Sequence, residues 1–162
     1  MQPATELKLV TSKPHVAATE RSQYSTFYVG GRLYGIDVTR VQEVVRPMPT
    51  TPIPLAPSYV VGLINLRGQV ATAIGLRELF SISQNPPASF MNVVCRIDGT
   101  LIALQADEIG DVLEVQAKDF EATPQTVPGD VRRFMSGIYK ISGSLLSIVD
   151  IDRIGKFLNH KL

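Results

Sequence analysis

Tryptophan is absent from this 162-residue chain, cysteine occurs once and histidine twice. A lone cysteine cannot close an intrachain disulfide, and Cys95 lies in an apolar run (Val93, Val94, Cys95) that reads as a small buried hydrophobe. His15 and His160 stand at opposite ends of the chain, and nothing of metal-ligand type lies at ligand spacing from Cys95, so no metal site is expected. The run Gly137–Gly143 has glycines but neither the spacing nor the Lys-Ser/Thr ending of a phosphate-cradling loop. No serine-hydrolase nucleophile elbow is present either. Sixteen Lys and Arg against fifteen Asp and Glu leave a formal charge of +1, which gives no electrostatic reason to expect nucleic acid or an anionic membrane as partner. No apolar run approaches the roughly 18 residues of a membrane span. The N-terminus carries Glu6 and Lys8 without an apolar core, so neither membrane insertion nor secretion is expected and a cytoplasmic location is the default. These absences leave little room for an enzyme or a cofactor.

What the chain does contain is a repeat. Phe27–Val45 (FYVGGRLYGIDVTRVQEVV) aligns with Cys95–Leu113 (CRIDGTLIALQADEIGDVL) at an offset of 68 residues. Gly62–Leu79 (GLINLRGQVATAIGLREL) aligns with Gly137–Ile154 (GIYKISGSLLSIVDIDRI) at an offset of 75. Hairpin, loop and hairpin recur in the same order, so one small β-unit is used twice. Units of about 60 residues are marginal alone and are expected to pack together. That is the plan of an adaptor.

Within each copy the turns are marked by Gly30-Gly31, Arg67-Gly68, Asp98-Gly99 and Ser142-Gly143, each between β-rich runs. Val38, Val41 and Val45 are spaced for one face of a short helical turn. Five prolines between Pro47 and Pro57 preclude a helix or central strand there and predict an extended loop or edge. Residues 1–23 read as a flexible tail, and Ser81–Ser89 (SISQNPPAS) as the linker between units at about 24–80 and 90–158. Leu76–Phe80 forms a short turn of helix, and Ile151, Ile154, Phe157 and Leu158 line one face of a terminal helix. The fold class is mainly β, two small packed barrels with short helices.

Three groups look like more than packing. Asp107, Glu108 and Asp111 cluster, but Asp37 and Glu43 mark comparable ground in the other copy, so a solvated hairpin end is expected rather than a catalytic carboxylate pair. In Asn65-Leu66-Arg67-Gly68, the asparagine and glycine suit a tight turn, whereas the turn does not need the planar, five-donor head of Arg67. Arg67 is either a solvated turn arginine or a binding residue; its counterpart is Ser142, so the fold plan does not demand it. Val41-Gln42-Glu43-Val44 is either core with a surface charge or, if it borders the same groove as Arg67, an amphipathic docking strip for a helical partner.

Tyr34–Val45 (YGIDVTRVQEVV), the proline-containing loop, Gly62–Gly68 (GLINLRG) and the strand ending in Leu76-Arg77 closely resemble the bacterial chemotaxis coupling protein CheW family. Ala106–Val115 (ADEIGDVLEV) and Leu145–Ile154 (LLSIVDIDRI) are similar to that family's later segments, so the resemblance runs from about Tyr24 to Leu158. It implies two SH3-like five-stranded barrels on a shared hydrophobic core, with exchange of terminal strands. It implies a scaffold joining the cytoplasmic tip of a methyl-accepting chemoreceptor to the regulatory domain of the histidine kinase CheA. The receptor-facing set it implies is Val41, Glu43, Val44 and Arg67, with Asn65 and Gly68 shaping the turn. The family's proline and aspartate after the Asn-Leu-Arg-Gly turn are replaced by Thr72 and Gly75, while Asp150 is kept in the second copy; the change removes a carboxylate near Arg77. A CheW-like module of a related regulator, or of a parallel chemosensory pathway such as twitching motility, is the alternative.

Overall fold

Positive backbone φ at successive residues fixes three of the four hairpin turns: Gly30-Gly31 (59° and 80°), Arg67-Gly68 (50° and 87°) and Asp98-Gly99 (48° and 81°). This is the turn whose twist matches that of paired strands. In the computed structural model, which describes residues 20–161 and side chains as far as Asn159, these turns organise eleven strands and three helices. In chain order they are β1 (Arg21–Val29), β2 (Arg32–Asp37), β3 (Val41–Val45), β4 (Val60–Leu66), β5 (Gln69–Gly75) and α1 (Leu76–Leu79). The second half follows with β6 (Met91–Ile97), β7 (Thr100–Ala106), β8 (Glu108–Gln116), β9 (Phe120–Glu121), α2 (Gly129–Arg132), β10 (Met135–Ile141), β11 (Ser144–Val149) and α3 (Ile151–Lys161). Glu6, Lys8 and His15, with most of the expected tail, lie outside the described residues. Arg21–Gln23, read from sequence as tail, are the first residues of β1 because they pair with Glu114–Gln116 of β8. The valine spacing expected to give a helical face gives instead a 3₁₀ turn at Val38–Arg40 and a strand at Val41–Val45. Pairing of β3 with β6 supersedes the local periodicity.

Each sheet draws on both halves of the chain. One has the order β8-β1-β2-β11-β10-β9, in which β9 is only two residues long, and the other the order β3-β6-β7-β5-β4. The β1–β2 hairpin therefore joins the strands of the second half, and the β6–β7 hairpin those of the first. The register obeys both sequence offsets. Cys95 of β6 faces Val41, and Phe27 of β1 faces Ile109, each partner displaced by 68. Thr72 faces Ile102 in the parallel β5–β7 pair, and Ser147 faces Tyr34 in the parallel β11–β2 pair. A pseudo-twofold relation thus connects the two sheets.

Alternation along the strands sorts the core into three clusters. Ile64, Leu66, Ala71, Ala73, Val94, Leu101 and Ala103 fill one face of the five-stranded sheet. Val115, Tyr139, Leu146 and Ile148, flanked by Tyr24 and Leu33, form a second cluster on the six-stranded sheet. Between the sheets lies the largest cluster, with Phe27, Tyr34, Ile36, Ile74, Leu76, Phe80, Cys95, Leu104, Phe134 and Ile154 from both halves. Burial pushes the Cys95 thiol up to about 12, in keeping with a packing residue.

Gly62 and Gly137, matched at offset 75, carry out one task twice. A Cβ at Gly62 would strike the carbonyl oxygen of Thr51, where the proline-rich loop bridges to Leu63. A Cβ at Gly137 would strike the Phe120 ring and come within 2.8 Å of the Glu121 carbonyl oxygen, where β9 crosses β10. Each glycine sits at a bulge and lets a crossing segment touch the backbone.

Candidate functional site: an exposed strip on the five-stranded sheet

The β4–β5 turn is the most heavily specified of the four. Asn65 Oδ1 accepts a hydrogen bond from the Gly68 amide at 2.8 Å, and this local bond holds Arg67 in a left-handed conformation that β-strand residues avoid. Held there, the Arg67 guanidinium reaches Glu43 on β3 and forms an ion pair with it. The Arg67 side chain remains 72% exposed and that of Glu43 25%. The contact raises the Arg67 guanidinium above its ordinary pKa, the hydrogen bond to Glu43 being the main cause. One guanidinium edge is engaged, and other donors of the five-donor fork face solvent.

The pair bridges an edge strand to the turn of the hairpin at the opposite edge of the same sheet. Glu43 and Arg67, 24 residues apart in sequence, are therefore brought together as the docking-strip reading requires. Val44 is 41% exposed and, paired with Val93, lies with the half-buried Val41 on the central-core face of the edge strand, whereas Glu43, paired with Val94, lies on the other face. Asn65 and Gly68 serve the turn itself.

The pseudo-symmetric half does not repeat the arrangement. Asp111 stands where Glu43 does and Ser142 where Arg67 does; no ion pair joins them among the described residues, and the Asp111 carbonyl oxygen accepts a hydrogen bond from the Thr26 hydroxyl at 2.5 Å. Exposed apolar residues, by contrast, are shared: Val44 matches Val112 at offset 68, and Val70 matches Leu145 at offset 75. The sequence reading did not single out Val70, Val112 or Leu145. The repeat itself carries the signal, since apolar residues persist at both copies of an outward-facing strand position.

The acidic cluster resolves differently from expectation. Asp107 is a largely buried ion-pair partner rather than part of a solvated hairpin end. It accepts from Arg77 Nε at 2.8 Å and Nη2 at 2.7 Å, and from the Gly30 amide at 2.8 Å. Arg77, which lacks a carboxylate at position 75, thus finds one just past the exchanged β6–β7 hairpin and also donates to the Gln84 carbonyl oxygen at 2.6 Å. Among the described residues, no group of three or more His, Cys, Asp or Glu is placed to hold a metal ion. No helix there is long and apolar enough to cross a membrane.

A family model described as a CheW-like domain matches residues 23–157, most of the chain and both sheets. The chain belongs to the CheW-like family. Among similar proteins of that family, the chemotaxis protein CheW of Treponema pallidum is 30% identical over 146 residues, covering 87% of this chain and 86% of that protein. The chemotaxis protein CheW of Rhizobium meliloti is 29% identical over 129 residues, covering 79% and 83%. The crystal structure of the scaffolding protein TtCheW from Thermoanaerobacter tengcongensis superposes with a TM-score of 0.74 at 27% identity, covering 81% of this chain and 90% of that one. The CheW-like fold is mainly β with two sheets, in agreement with the class read from sequence.

Proposed function

We propose that this CheW-like protein is a non-catalytic coupling scaffold that joins the cytoplasmic tip of a methyl-accepting chemoreceptor to the regulatory domain of the histidine kinase CheA. The names of its relatives support the chemotaxis setting and the scaffold role. The observation that carries the reading is the Glu43–Arg67 pair, present on one half of a pseudo-symmetric molecule and absent from the other. Symmetric folding needs do not account for it, because the second half folds with Asp111 and Ser142 instead.

A receptor tip is a helical hairpin, and an amphipathic helix docks through apolar anchors set between charges. Val44 supplies the exposed apolar contact, Val41 backs it from the core, and Glu43 with Arg67 supplies paired charges that select orientation. The kinase contact is assigned to the other exposed apolar residues of the two sheets, Val70 on one and Val112 and Leu145 on the other. Two matched patches let one scaffold engage a partner on each side. The work is binding, performed without metal or nucleotide.

Separate titrations of the full chain with a chemoreceptor hairpin fragment and with a CheA regulatory-domain fragment test the proposal. Both should bind, and both together should form a ternary complex whose affinity is unchanged after dialysis against chelator. Failure of either fragment to bind, or exclusion of one by the other, would overturn the coupling role.

A further inference from the structure

The two halves treat one groove differently. In the first, a pocket of about 210 Å³ beside the β6–β7 hairpin is lined by Thr72, Asp98, Thr100 and Ile102 and covered by Gly155, Leu158 and Asn159 of α3. The contact is close: a Cβ on Gly155 would lie 2.5 Å from Ile97. The sequence offsets convert these residues into Ser147, Gly30, Arg32 and Tyr34 for the floor and walls, and Phe80, Ser83 and Gln84 for the cover. All seven line a single cleft of about 460 Å³ on the other half.

The cover is what differs. α3 runs for eleven residues and buries Leu158, whereas α1 ends after four and the chain leaves it at Ser81, whose φ is 58°. Ser83, the counterpart of Leu158, is exposed. The cleft therefore keeps an apolar lining (Tyr34, Phe80, Val131, Met135) under a polar rim. Arg32 stands on that rim where the covered groove has Thr100. Its side chain is exposed and makes no hydrogen bond or ion pair with any described residue. The rim carboxylate, Asp130, is already bound to the Ser81 hydroxyl at 2.7 Å and to Arg133 at 3.3 Å. A second cleft of about 370 Å³ shares Arg32, Val127 and Ser147 and extends the apolar surface to Leu145.

We propose that this cleft docks an amphipathic helical segment of a partner protein, lying as α3 lies on the opposite half. The segment carries a leucine-sized side chain for the apolar lining and a carboxylate one turn away for Arg32. The surface contains neither Glu43 nor Arg67, so it is independent of the receptor assignment above.

The probe is a blocked, stapled alanine-rich helix of about 14 residues, a length at which unstapled helices are marginal in water. It carries two leucines on one face and a glutamate one turn away; a second peptide carries lysine instead. Titrated into the isotope-labelled full chain, the glutamate helix should give saturable amide shifts at Tyr34, Ile82, Ser83 and Ser147, with a Kd on the order of 100 μM. Arg32→Glu should weaken that peptide about tenfold and reverse the preference toward the lysine helix. Ser83→Leu, which places on the linker the side chain that α3 uses, should fill the cleft and abolish both. Shifts centred on Glu43 and Arg67, no saturable shift in the cleft, or an Arg32→Glu chain that binds the glutamate helix like the parent would each overturn the proposal.

Discussion

The two halves tie a helix to an exchanged hairpin by the same geometry with the charges reversed. At α1 the helix contributes arginine, Arg77, and Asp107 follows the β6–β7 hairpin; their side chains are 8% and 14% exposed. At α3 the helix contributes aspartate, Asp152, and Arg40 follows the β1–β2 hairpin; these are 66% and 35% exposed. Both pairs are two-pronged, the second with both distances at 3.1 Å. Caps differ as well. Asp150 accepts from the amides of Asp152 at 2.9 Å and Arg153 at 3.3 Å, whereas Gly75 offers α1 no side-chain cap and Glu78 folds back over the space its Cβ would take. The fold plan requires a tie at each crossing but not its sign, and burial decides how much each tie matters.

The largest expected effect follows from that contrast. Arg77→Ala leaves Asp107 charged and largely enclosed, and removing one member of a buried pair costs about 3 kcal/mol. Asp152→Ala, at the solvated equivalent, should cost less than about 1 kcal/mol. Urea unfolding of the two variants measures both. Similar losses at the two sites would mean that burial does not separate them.

The bulge glycines test where the halves agree. Gly62→Ala and Gly137→Ala each force a crossing segment away from the backbone and should each destabilise by about 2 kcal/mol. Gly137 has a flexible side chain, Phe120, among its close neighbours, while Gly62 meets backbone, so any inequality should leave Gly62→Ala the worse. Thermal unfolding ranks them, and a neutral Gly62→Ala would show that the Thr51 bridge is dispensable.

Arg67→Glu probes where the halves differ in function. It places like charges at the Glu43 contact and should weaken receptor-tip binding about tenfold or more, with circular dichroism and kinase-fragment binding nearly unchanged. Ser142→Glu, at the symmetric position, should leave receptor binding alone. An unfolded Arg67→Glu chain would make the ion pair structural, and parent-like receptor binding would place the docking surface elsewhere.

The repeat is legible in the chain because both copies meet the same packing and turn demands, and these leave residues such as Gly62 and Gly137 in matched places. The Glu43–Arg67 strip is legible for the opposite reason: Arg67 is a residue its turn does not need. Asp107 escapes detection because its partner lies 30 residues away, across an exchanged hairpin, and local charge density looks the same whether a carboxylate is solvated or enclosed. The β1 boundary at Arg21 likewise depends on β8, more than half the chain away. Contacts that close at long range leave no period for a local reading to find.

Acid provides the finest comparison of the two ties. Burial tends to raise the Asp107 carboxyl, but the hydrogen bonds from Arg77 and the Gly30 amide outweigh it and hold the group below its ordinary range. The Asp152 carboxyl is also lowered, chiefly by its bond from Arg40. A carboxyl whose folded pKa is depressed contributes stability that is complete above its unfolded value, about 3.9, and is lost as pH falls through the folded one. The parent should therefore lose stability below about pH 4. Asp107→Asn, already weaker at neutral pH, should flatten that acid slope measurably, and Asp152→Asn should flatten it only slightly because solvent screens the exposed pair. Denaturation midpoints collected from pH 6 down to pH 2.5 read both slopes. An acid limb unchanged in Asp107→Asn would show that the buried tie does not set acid stability, and a steeper effect from Asp152→Asn would reverse the assigned order of the two halves.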